Sequence, residues 1–115
     1  MTYYENVASF EREGFLVRFD VTPEQDDPRG YFASGDDAAD QEIIDQISDG
    51  SLAWFVARVS ASKHGLVLGS DYLGGCCYDS PEAFMREEGG YFDDIIANAI
   101  DMARDAIARI KQGDE

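Results

Sequence analysis

The chain has 115 residues, and 24 Asp and Glu against 9 Lys and Arg leave a formal net charge of −15. Such a charge repels phosphate and excludes direct nucleic-acid binding, while 44% hydrophobic and 12% aromatic residues exclude a disordered acidic tail. One domain spanning residues 1–115 is expected from this length.

In chain order, residues 14–22 (GFLVRFDVT) alternate, with Phe15, Val17, Phe19 and Val21 on one side and Leu16, Arg18 and Asp20 on the other. That period of two predicts a half-buried strand. Pro23 to Gly35 holds prolines, glycines and acids in a composition that breaks regular structure, and reads as a long loop. Over 36–48 the apolar Ala39, Ile43, Ile44 and Ile47 recur at helical spacing, with acids elsewhere around the wheel, so a helix with an acidic outer face is expected, stopped by Gly50.

Residues 52–61 (LAWFVARVSA) carry one charge and suit a central strand. Ser62-Lys63-His64-Gly65 reads as a hairpin turn. The return strand runs over 65–73, with a bend at Ser70-Asp71, and a further strand over 75–78 follows the paired Gly74 and Gly75, which mark a bulge or a close backbone approach. Ser80 as cap and Pro81 at the first helical position start a short helix that ends near Gly89-Gly90. From Tyr91 the apolar positions Phe92, Ile95, Ile96, Ala99, Ile100, Ala103, Ile107 and Ile110 predict a long helix over 91–111. Asp93 and Asp94 stand at its start and Arg109 and Lys111 at its end, in accord with the helix dipole. The expected fold class is α+β: an antiparallel sheet of three to four strands, the long C-terminal helix packed on one face, and an additional acidic helix nearby.

Charge is unevenly spread. Residues 24–49 carry nine acids against the single base Arg29, whereas 50–78 carry Asp71 against Arg58 and Lys63. The near-neutral middle is therefore expected to supply core and the flanks to supply solvated surface. No apolar run reaches the roughly 18 residues of a membrane span. The N-terminal MTYYENVASF also lacks a basic start and an apolar stretch, so neither a membrane span nor a signal peptide is expected. The adjacent Cys76 and Cys77 imply no disulfide scaffold, since neighbours on a strand point to opposite faces, and reduced thiols fit a cytoplasmic home.

Catalytic motifs are scarce. Cys76 or Cys77 with His64 formally makes a nucleophile–base pair, but a strand cysteine is usually a small buried apolar residue, and the surrounding negative field raises a thiol pKa. No metal site is expected, because the acids of 24–37 lack the alternating spacing of a calcium loop, and one His with two adjacent Cys is too few ligands for zinc. Gly74-Gly75 and Gly89-Gly90 lack the Lys and the strand-to-helix context of a nucleotide loop. Among 24 acids, paired carboxylates arise by chance, so no enzyme and no cofactor is expected.

The acidic surface remains. Its plain reading is solubility. Its functional reading is mimicry of a phosphate backbone: acids one helical turn apart lie roughly 6 Å apart along the axis, near two phosphate steps of about 3.4 Å each. Asp36, Asp40, Asp45 and Asp49 approximate such a line, Asp37, Asp94 and Asp101 extend it if the helices pack side by side, and Asp26, Asp27 and Asp37 count with the line as expected partner contacts.

In size, acidity and lack of a catalytic motif the chain resembles the small inhibitors of phages and plasmids, the DNA-mimic anti-restriction and anti-CRISPR proteins. Trp54-Phe-Val-Ala-Arg-Val and Leu68-Gly-Ser-Asp-Tyr-Leu-Gly-Gly-Cys-Cys-Tyr78 also resemble segments of phage and plasmid proteins. The resemblance implies a non-enzymatic protein in the host cytoplasm that inhibits a nucleic-acid-handling defence complex by occupying its basic surface, without touching nucleic acid or membrane. Those families share a strategy more than a motif, so no family residue carries over to a position here. The alternative expectation is a small assembly module that binds a protein partner through the Tyr72 to Tyr78 segment, with Tyr72 and Tyr78 as anchors.

Overall fold

The computed structural model of the chain describes residues 3–32, 35–87 and 90–113. Four strands, β1 (Glu5–Arg12), β2 (Phe15–Pro23), β3 (Ala53–Lys63) and β4 (Leu66–Tyr78), form an antiparallel sheet in the order β1-β2-β3-β4. Three helices, α1 (Asp37–Ser48), α2 (Pro81–Arg86) and α3 (Tyr91–Gly113), complete an α+β fold. β1 was not expected from the sequence. β4 is one strand rather than two, and it continues through Ser70 and Asp71 without a break.

The two hairpins close in two-residue turns with both residues at positive φ, Glu13 and Gly14 at 54° and 86°, His64 and Gly65 at 53° and 78°. Turns of this hand match the right-handed twist of the flanking strands. Register shifts fall between Asn6 and Ala8 on β1, and on β4 opposite Ala61/Ser62 and opposite Phe55/Ala57. In each case the extra residue lies on an outer strand, where a bulge twists the unpaired edge away from further pairing.

The alternation read in β2 is the alternation observed, and β3 is the central strand its composition implied. Phe15, Val17, Phe19, Phe55, Ala57, Val59 and Ala61 are all buried on one face of the sheet, against Ile95, Ile96, Ala99, Ile100 and Ala103 of α3. α3 comes close to β4 at Gly69, where a Cβ would stand 2.2 Å from the Ala99 carbonyl oxygen and 2.7 Å from the Ala103 nitrogen. Only glycine on the strand, with alanines on the helix, allows that approach. α2 is capped by Ser80, whose hydroxyl accepts the Ala83 amide at 3.1 Å. It exists to deliver Phe84, fully buried, whose ring centroid lies 5.1 Å from that of Tyr78, 5.7 Å from Phe19, 5.8 Å from Phe92 and 5.9 Å from Phe55.

α1 stands apart. Its half-buried Ile43, Ile44 and Ile47 do not join the core, and its main packing partner is the 3-10 turn at Pro28–Gly30 rather than the sheet or α3. The helix spacing over 36–48 was therefore legible, but side-by-side packing with the C-terminal helix, which would have joined Asp94 and Asp101 to its acids, does not occur. With α1 at one end of long strands, the molecule measures 61 × 32 × 23 Å and has a Cα radius of gyration of 16.8 Å, against roughly 13 Å for a compact chain of this length.

Candidate functional site

A meander places its connections alternately at two ends. Both hairpins and the C-terminal end of α3 lie at one end, as the Arg104–Glu13 ion pair between α3 and the β1-β2 turn confirms. The β2-β3 connection, the end of β4, α2 and the start of α3 lie towards the other. Five of the nine bases, Arg12, Lys63, Arg104, Arg109 and Lys111, therefore collect towards the hairpin end, while the nine acids of 24–49 collect at the opposite pole. Charge is polarised along the long axis.

The acidic pole is built by its own carboxylates. Glu24 accepts the Gly75 amide at 2.7 Å through one oxygen and the Gln25 amide at 3.0 Å through the other, tying the loop to β4. The Tyr31 ring covers Gly75, where a Cβ would stand 2.6 Å from Cε1 of that ring. Tyr31 meets Trp54 edge-on at 5.0 Å between centroids, and Phe32 lies 5.9 Å from the same indole. Trp54 donates its indole N–H to the Asp26 carbonyl at 3.0 Å, and the Tyr31 hydroxyl donates to the Asp26 carboxylate at 3.1 Å. Asp27 caps the 3-10 turn through the Arg29 amide and receives the Arg29 guanidinium at 2.6 Å, which holds its carboxyl down to about 2. The aromatics Tyr31, Phe32 and Trp54 are thus the clasp of this loop.

On α1, Asp36 caps the N-terminus by accepting the Ala39 amide at 3.1 Å, and Asp37 lies in the first turn, where the helix dipole favours an acid. Asp45 accepts from the Gln41 side chain at 2.8 Å. Asp49 accepts the Ser51 side-chain hydroxyl and amide, which lower its pKa; the amide contact is 2.8 Å. Asp40 is 8% exposed. The expected line of Asp36, Asp40, Asp45 and Asp49 is therefore interrupted: Asp40 faces inward, because it stands three, four and seven residues before the half-buried Ile43, Ile44 and Ile47 and so shares their side of the helix. The other six acids named from the sequence, Asp26, Asp27, Asp36, Asp37, Asp45 and Asp49, are all exposed at this pole.

Tyr72 and Tyr78 part company. Tyr72 is 53% exposed on the sheet face not covered by helices. Tyr78 is half-buried beside Phe55 and Phe84, and burial, then a hydrogen bond with Glu87, pushes its phenol up to about 12. Burial likewise pushes the Cys76 thiol up to about 11 and raises that of Cys77. His64 lies in the hairpin turn, whereas Cys76 pairs with Phe55, about eight strand residues or roughly 26 Å away, so no Cys–His pair exists. Among the described residues no three His, Cys, Asp or Glu side chains gather as a metal site, and no helix is long and apolar enough to cross a membrane.

A second charged constellation was not singled out from the sequence. On the open face, Asp20 is 2% exposed and accepts Asn6 Nδ2 at 3.0 Å and Arg58 Nη2 at 3.0 Å, with Arg18 Nη2 at 3.6 Å. Burial raises its pKa, but the Asn6 and Arg58 hydrogen bonds and the arginine charges overcome that and leave it below the ordinary 3.8. The signal was present: Arg18 and Asp20 sit two apart on the side of β2 opposite its phenylalanines, and Arg58 is the one charge of β3 before its last residue, Lys63.

No known protein family, curated protein or solved structure matches the chain.

Proposed function

We propose that the protein is a non-enzymatic binding protein of the host-cell cytoplasm that inhibits a nucleic-acid-handling defence complex, of anti-CRISPR or anti-restriction type, by occupying its basic surface with the acidic pole. One observation carries this reading: α1, its C-cap and the loop before it gather nine acids against Arg29 at one end of the molecule, while none of their described side chains joins the buried core. Carboxylates held in place by caps and by Arg29, Tyr31 and Gln41 present a field that is already organised before a cationic partner arrives. Asp26, Asp27, Asp36, Asp37, Asp45 and Asp49 are the contact residues in this account.

The test is capture of partners from host lysate at low and at high salt. A basic nucleic-acid enzyme retained at low salt, lost at high salt and displaced by DNA or RNA is expected. A partner held equally at high salt would contradict the charge mechanism. It would favour the second reading, an assembly module bound through the Tyr72 to Tyr78 segment, whose support is the exposure of Tyr72; Tyr72→Ala would then release the partner.

A further inference from the structure

The open face of the sheet carries a cavity of about 350 Å³ walled by Arg18, Arg58, Ser60, Ser70, Tyr72 and Val67, with Asp20 at its floor. Arg58 is rigidly held: it lies on the inner strand β3, one guanidinium nitrogen is bound to Asp20, and its Cζ stands 3.8 Å from the centre of the Tyr4 ring. Its Nε is buried and has no hydrogen-bond partner among the described residues. An atom so enclosed is closed to an incoming group, so Arg58 gives the cavity its charge and the half-exposed Arg18 gives it accessible donors. Arg18 is half exposed and reaches Asp20 only at 3.6 Å. Two guanidiniums against one carboxylate leave the cavity with one positive charge.

We propose that this cavity binds a carboxylate, seated between the Arg18 and Arg58 guanidiniums and carried on an apolar or aromatic body that lies against Tyr72 and Val67. A monoanion matches the local excess of charge, and a planar carboxylate fits the guanidinium fork in a bidentate manner. Tyr72 and Val67, 53% and 59% exposed, supply an apolar wall beside the charged floor. The net charge of −15 does not forbid this, because Arg58 lies five strand residues from Ala53 at the acidic end, roughly 17 Å, which exceeds the screening length of about 10 Å in ordinary salt. The carboxylate belongs either to a free small acid or to the C-terminus of a peptide, and the site is independent of the acidic pole.

The experiment is a titration of the full 15N-labelled chain, followed at the arginine Nε–H signals and the Ser60 and Ser70 amides. The probes are benzoate, benzyl alcohol, and the dipeptide Ala-Phe as free acid and as amide. Saturable shifts of the Arg18 and Arg58 signals with a carboxylate probe, absent with benzyl alcohol and with the peptide amide, are expected. Arg18→Gln and Tyr72→Ala, both at exposed positions, should keep a dispersed spectrum and weaken binding about fivefold or more. Tighter binding of the free-acid dipeptide than of benzoate would assign the carboxylate to a chain terminus, and the reverse order to a small acid. Shifts that never saturate, or that saturate alike in wild type and both variants, would overturn the proposal.

Discussion

Asp20 concentrates the cost and gain of placing a charge inside a sheet. A carboxylate only 2% exposed would be protonated or disruptive if it stood alone, yet Asn6, Arg58 and Arg18 hold it ionised below the ordinary carboxylate pKa. Because the folded pKa is depressed, this group stabilises the fold fully above its unfolded value near 3.9, and the contribution is lost as pH falls through the folded value. Thermal unfolding from pH 6 to pH 2 is therefore expected to show a steeper decline below about pH 4 in the wild type than in Asp20→Asn, which has no proton to take up. Parallel curves would show that Asp20 does not carry acid sensitivity. The same scale explains what the sequence concealed: Arg18, Asp20 and Arg58 were each visible as charges, but Asn6 completes the group from a strand that pattern reading passed over.

At the scale of elements, β1 escaped notice because of its bulge. Ala8 and Phe10 face the core and Asn6 faces away, with Val7 as the extra residue between them, so strict alternation fails between the very residues that pair with Asp20 and Phe19. β4 was divided for a similar reason, since its bulges opposite Ala61/Ser62 and at Gly74-Gly75 break the period twice. Helix α3 was legible because its apolar stripe is long and uninterrupted, and the contact at Gly69 is what fixes its height above the sheet. Gly69→Ala forces a Cβ into the Ala99 and Ala103 backbone. Overpacking of this kind should cost about 1–3 kcal/mol, measurable by urea unfolding, while Gly30→Ala, in open space, should change stability by less than about 0.5 kcal/mol. Equal effects would mean that α3 does not rest on β4 as described. The 36–48 helix was legible too, from its isoleucines, but spacing alone does not say what a stripe packs against, and here it meets the turn at Pro28–Gly30 instead of the core.

At the scale of the whole molecule, the topology turns an uneven sequence into a polar object. Nine acids between residues 24 and 49 could have been scattered by folding, but the β2-β3 connection keeps them at one end of a 61 Å long axis, and five bases lie towards the other. The account's central claim is that binding depends on where the negative charge sits and not on its total. Two double variants change net charge equally: Asp37→Lys with Asp45→Lys at the acidic pole, and Asp101→Lys with Asp105→Lys on the exposed side of α3. With circular dichroism confirming that both remain folded, their association with the captured basic partner should be measured at low salt. The account predicts that the pole variant associates about tenfold or more slowly while the α3 variant stays near wild type; equal losses in the two would contradict it.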